Sequence, residues 1–141
     1  MILFGLLLMV LGCSDTESKD EEPNSLYSFQ DKVFVLQSAE DYEPVGSQMS
    51  LGFSADTLHL WFDAGCNRYD VTYTYENDLL HGTSIGGTEM GCEADLMEQD
   101  ELLVDFFTSH LILTYEGNVL SLERIDDNHS TLDFTLHFVE E

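Results

Sequence analysis

Between residues 33 and 139, apolar side chains recur at every second position in one short run after another, with polar residues between them. A β-strand turns successive side chains to opposite faces, so this alternation marks strands with one buried face. Short polar connections between such runs favour an antiparallel meander. The runs fall at 33–37, 48–54, 57–63, 71–75, 79–81, 111–116, 119–123 and 131–139. Met49, Leu51 and Phe53 share one face, as do Leu58, Leu60 and Phe62, which have His59 and Trp61 opposite them. In the last run Leu132, Phe134, Leu136 and Phe138 oppose Asp133, Thr135 and His137. Turns are expected at 40–46, which holds Pro44 and Gly46, at 76–78, at Gly117-Asn118 and at the polar stretch 126–130. The stretch 83–90, loosened by Gly82, Gly86 and Gly87, is expected to be irregular.

The period changes once. Over 93–109, Leu96, Leu103, Phe106 and Phe107 stand at helical spacing, which predicts one amphipathic helix with acids on its other face. Asp95, Glu98, Asp100 and Glu101 lie toward its N-terminal half, where the helix dipole favours negative charge. A chain of 141 residues holds one folded domain with a single core. The predicted class is α+β, a curved antiparallel sheet or small barrel of about eight strands covered or plugged by the helix.

The beginning of the chain has a different character. Residues 1–12 are apolar and uncharged and end in Val10-Leu11-Gly12 before Cys13. That run is shorter than the roughly 20 residues a membrane-spanning helix needs, and its length suits the apolar core of a signal peptide. A small residue before Cys13, preceded by branched apolar residues, resembles the lipobox of bacterial lipoproteins. The resemblance implies that Cys13 is lipidated and becomes the mature N-terminus. Residues 14–25 hold no apolar side chain except Pro23, so a disordered tether is expected, with a reach of roughly 20 Å. The organisation read from this is a signal peptide at 1–12, the lipidated Cys13 and an acidic tether over 13–25, and one domain over 26–141. By the sorting convention of enteric bacteria, Ser14 after the lipidated cysteine points to the outer membrane, facing the periplasm or the surface.

The formal net charge is −24, with 28 acidic residues against Lys19, Lys32, Arg68 and Arg124. A field of that sign repels phosphate backbones, which excludes nucleic acid as a partner class and favours a basic protein if there is a macromolecular partner. The acidity also serves solubility in a salty environment without any partner.

Candidate chemistry is sparse. With Cys13 lipidated, Cys66 and Cys92 remain as an even pair in an exported chain. They read either as a disulfide, stabilising by about 3 to 4 kcal/mol on a loop-entropy basis, or as two buried reduced thiols. Gly82-Thr83-Ser84-Ile85-Gly86 matches the frame of a serine-hydrolase nucleophile, but that frame works only on a strand-to-helix turn of a large α/β sheet, and a glycine-rich loop is the expectation here. His59, His81, His110, His129 and His137 lack zinc-site spacing and read as solvated strand residues. Asp126-Asp127-Asn128 lacks the glycine and distal glutamate of a calcium loop. No metal and no cofactor is expected.

Two blocks, Gly65-Cys66-Asn67-Arg68-Tyr69 and Thr88-Glu89-Met90-Gly91-Cys92, are followed by the acidic helix and a hairpin with a Gly-Asn turn. In this order they resemble the META domain family, the HslJ-like proteins of bacterial envelopes, over about 33–139. Phe34 stands where the family commonly has a Trp. The resemblance implies a conical antiparallel sheet with a packed helix, an association with heat shock or envelope stress, and no established catalytic activity. It assigns Gly65, Asn67, Tyr69, Thr88 and Met90 a structural role as family motif. The functional expectation is a non-enzymatic envelope lipoprotein, held to the membrane through Cys13, that binds or helps assemble envelope components. The alternative is an acidic inhibitor module that captures a basic secreted enzyme such as a lysozyme.

Overall fold

The computed structural model describes residues 26–46, 48–125 and 131–141. The expected leader at 1–12, Cys13, the tether over 13–25 and the polar turn at 126–130 lie outside the described residues. A short helix, α1 (Leu26–Phe29), leads into β1 (Val33–Glu40), β2 (Ser50–Phe53), β3 (His59–Asp63), β4 (Arg68–Glu76) and β5 (Leu79–Gly87). Then come helix α2 (Ala94–Phe107) and β6 (His110–Glu116), β7 (Val119–Ile125) and β8 (Thr131–Glu140). Each strand pairs antiparallel with the next, and β8 returns to β1, so the sheet closes in a ring. The α+β class, the eight strands and the amphipathic helix agree with expectation.

The ring is uneven. β4 and β5 pair along almost their whole length, from Tyr69↔Gly87 to Glu76↔Leu79. β5 and β6 meet only at Leu79↔Ile112, Leu80↔Leu111 and His81↔His110. Beyond His81 the far side of β5 is left to α2, whose C-terminal backbone comes so close to Gly82 that a Cβ there would collide with the Phe107 carbonyl oxygen. The missing side chain of Gly82 therefore lets the helix dock.

Inward-facing residues fill the ring, among them Leu51, Leu60, Val71, Leu80, Leu111, Leu113, Leu120 and Leu122, all buried. Aromatic side chains stopper its two ends. At the start of β4, Tyr69 stacks on Phe62, which stacks on Phe107 of α2 at 4.3 Å between ring centroids. Near the other end of β4, Phe29 of α1 sits edge-on to Tyr75 and Phe53. No helix among the described residues is long and apolar enough to cross a membrane.

Several local expectations are corrected. β5 continues to Gly87, so 83–87 is strand, and the expected glycine-rich loop is a ladder in which Ser84 faces Thr72. The register jumps from Thr72↔Ser84 to Tyr73↔Gly82, leaving Thr83 as the extra residue of a bulge. The glycines that signalled a loop are all paired with β4, and at Gly82 and Gly87 the missing side chain admits a close neighbour. β1 runs on to Glu40, which the turn at 40–46 had claimed, and it too carries a bulge, between Leu36 and Ser38. β4 begins at Arg68, and β2 only at Ser50. Leu58 precedes β3 and stays 40 % exposed, away from Leu60 and Phe62. The helix α1 was not foreseen, since four residues are too few to show a period.

Candidate functional site

The site forms where β4 begins. Asp63 ends β3, its side chain accepts from the Gly65 amide, and Gly65 takes a φ of 96°, a conformation only glycine adopts without strain. This tight corner delivers Cys66 and Asn67 into the interior, where Asn67 is 6 % exposed. Cys66 is bonded to Cys92 as a disulfide, with 6.1 Å between the Cα atoms. The bridge ties the start of β4 to the segment entering α2.

Asn67 uses every polar atom of its side chain. Its Oδ1 accepts from the Thr88 hydroxyl at 2.8 Å and from the Met90 amide at 2.7 Å. Its Nδ2 donates to Asp100 Oδ2 at 2.7 Å and to the Met90 carbonyl at 3.2 Å. Thr88 extends the β4–β5 ladder by one step, donating its amide to the Arg68 carbonyl while its hydroxyl accepts the Arg68 amide. The Tyr69 hydroxyl donates to Asp100 Oδ2 at 3.2 Å. Burial, then the Asp100 carboxylate, pushes the Tyr69 phenol up, so it stays a protonated donor.

One residue back along α2, Gln99 does the same for the loop after β1. Its Oε1 accepts from the Tyr42 hydroxyl and the Val45 amide, and its Nε2 donates to the carbonyls of Val45 and Ala64. Gln99 and Asp100, 2 % and 4 % exposed, thus stand on the buried side of the helix. The expectation that placed Asp100 among the dipole-facing surface acids is corrected: its carboxylate is the inner anchor for Asn67 and Tyr69. Spacing held the clue, because Asp100 lies four residues after Leu96 and three before Leu103 and so belongs to the apolar stripe.

Over this network lies a hollow of about 370 Å³ lined by Asn67, Tyr69, Thr88, Glu89, Met90, Gly91, Met97, Asp100 and Glu101. Met90 and Met97 are 58 % and 44 % exposed there. A second hollow of about 360 Å³ shares Tyr69, Thr88 and Glu89 with the first and continues along Ile85, Gly86 and Gly87 to Val104. Together they make a groove between α2 and the outer side of β5. The five motif residues Gly65, Asn67, Tyr69, Thr88 and Met90 are thereby brought to one place, with Gln99 and Asp100 added. Ser84 sits on a paired strand and not on a strand-to-helix turn, and Cys66 is oxidised, so neither has the setting of an activated nucleophile.

The described cations are engaged elsewhere. Arg68 lies over the Trp61 ring at 4.0 Å, Arg124 pairs with Asp105 at 2.8 Å, and Lys32 pairs with Glu140 at 2.9 Å.

An NMR structure of a protein from Burkholderia xenovorans is similar at 20 % identity and a TM-score of 0.61, with 94 % of this chain and 99 % of that one covered. A second protein with an NMR structure is similar at 20 % identity and a TM-score of 0.61, with 79 % of this chain and 90 % of that one covered. Likeness at that identity shows the fold alone. No curated protein matches the chain. The model of the META domain matches residues 28–137, which takes in β1 to β7, β8 as far as His137, both bridged cysteines and α2, and the chain accordingly belongs to the META domain family.

Proposed function

We propose that this chain is a non-catalytic envelope lipoprotein, tethered through Cys13, whose META domain captures a basic segment of another envelope protein in the groove beside α2. The observation that carries this reading is the make-up of the groove: carboxylates of Glu89 and Glu101 beside the exposed thioethers of Met90 and Met97. A lysine or arginine side chain brings an aliphatic stem for the thioethers and a cation for the carboxylates. The net charge of −24 adds long-range attraction for such a partner. The same charge supports the second reading, an inhibitor that seats a side chain of a basic secreted enzyme; there the encounter would be steered electrostatically.

The test is a fluorescence titration of the full chain with an extended Lys/Arg-rich peptide at low and at physiological salt. Binding should weaken steeply with salt, and Glu89→Gln and Glu101→Gln should each weaken it roughly three- to tenfold. Indifference to both variants would remove the groove as the site. Inhibition of a basic lysozyme at low ionic strength would favour the second reading over the first.

A further inference from the structure

Away from this groove, the short β5–β6 seam carries a pair of histidines that no sequence spacing announces. His81 on β5 faces His110 on β6 across the ladder, and Thr74 on β4 continues the same row. The two imidazole rings lie face to face, 4.1 Å between centroids and 9° between planes. His81 Nδ1 is 3.3 Å from the Ser109 carbonyl oxygen. A carbonyl oxygen only accepts, so in the neutral ring Nδ1 carries the hydrogen and Nε2 keeps the lone pair. A ring held through one N–H by a backbone carbonyl, with the other nitrogen free, is the usual arrangement of a metal-binding histidine.

The pair borders a hollow of about 330 Å³ lined by Thr74, Glu76, Asn77, Leu79, His81 and His110. Glu76 lies two residues beyond Thr74, on the same outer face, and adds negative charge. We infer that His81 and His110 form a surface site for a divalent transition-metal ion of the class that favours imidazole, Zn²⁺, Ni²⁺ or Cu²⁺. Among the described residues no three His, Cys, Asp or Glu side chains already converge on a point. The protein therefore supplies two nitrogens, and water completes the shell. Binding leaves the His81 ring where the Ser109 carbonyl holds it and requires the exposed His110 side chain to turn out of the stack until its own ring plane contains the metal. Because the ligands sit on different strands, the ion would also cross-link a seam of only three ladder pairs.

The test uses Ni²⁺ as the probe on the full chain. In the unmutated protein, paramagnetic Ni²⁺ should broaden the NMR signals of His81, His110 and Thr74 before any others. Calorimetric titration should show affinity falling about tenfold or more in His81→Gln and in His110→Gln, and unchanged in His59→Gln, which lies on β3. Broadening that starts elsewhere, or affinity retained in both variants, would overturn the site. The broadening experiment needs no substitution, so a misfolded variant cannot decide the outcome.

Discussion

Two polar clasps hold this ring, and they differ in how deeply they are set. One is the Asn67–Asp100–Tyr69 network beneath the Cys66–Cys92 bridge, where Asn67 and Asp100 are 6 % and 4 % exposed. The other joins Lys32, Tyr115 and Glu140 where β1 meets β8; Lys32 donates to both Tyr115 and Glu140 at 2.9 Å, and the Tyr115 hydroxyl donates to the same carboxylate. The Lys32 and Glu140 side chains are 31 % and 30 % exposed. Both clasps combine charge with hydrogen bonds. In the exposed one, water replaces any partner that is lost, whereas in the buried one a lost partner leaves dry polar groups behind. The buried clasp also stands where the sheet is incomplete, so side chains and a disulfide do there what backbone ladders do elsewhere.

The difference should appear first in Asn67→Ala. It takes the side-chain partner from both the Met90 amide and the Met90 carbonyl and leaves the buried Asp100 Oδ2 with Tyr69 alone, and should cost about 3 to 5 kcal/mol in denaturant unfolding. A loss below about 1 kcal/mol would make the two clasps equivalent. Next in size, replacing Cys66 and Cys92 together by Ala should cost about 3 to 4 kcal/mol, read as a lower Tm in the same buffer. Glu140→Gln should cost only about 0.5 kcal/mol, the ordinary worth of a solvent-accessible ion pair. Its pH behaviour follows from the shifts. The hydrogen bond from Tyr115, then Lys32, holds Glu140 below its ordinary 4.5, so its contribution is present above that pH and lost as pH falls through the lower folded value. The hydrogen bonds to Tyr115 and Glu140 hold Lys32 above its ordinary 10.5, so its contribution is lost only as pH rises through the higher folded value. A flat difference between wild type and Glu140→Gln from pH 5 to pH 9 in thermal melts checks this. Smallest, and opposite in sign, is Tyr73→Phe. The buried Tyr73 hydroxyl finds no hydrogen-bond partner among the described residues, and burial pushes its phenol up to about 12. Removing it should leave stability unchanged or slightly raised, separating a buried polar atom outside a network from those within one.

Most of the ring was legible because β4, β6 and β7 have one wet and one dry face, and alternation records that directly. The two cysteine blocks could be read as a clasp, and the bridge now links them. The partner of Asn67 could not. Asp100 was counted with the acids around it, although its position in the apolar stripe sets it apart. The glycines of β5 misled for a related reason. A residue without a side chain signals a turn in isolation, and only the approach of Phe107 shows that Gly82 is needed where it stands. The His81–His110 pair was invisible because the two residues are separated in sequence by all of α2, and only closure of the ring makes them neighbours.

The β1–β8 seam has a mechanical consequence for a chain pulled by its two ends. Phe34 lies opposite Glu140, and the Glu141 amide donates to the Val33 carbonyl at 3.0 Å, so the start of β1 and the finish of β8 share one corner of the ring. Tension applied between the two ends loads that ladder one rung at a time, as in opening a zip, instead of shearing all rungs at once. The pair of Lys32 and Glu140 stands at the first rung. A contact of little thermodynamic weight thus becomes the first to bear force.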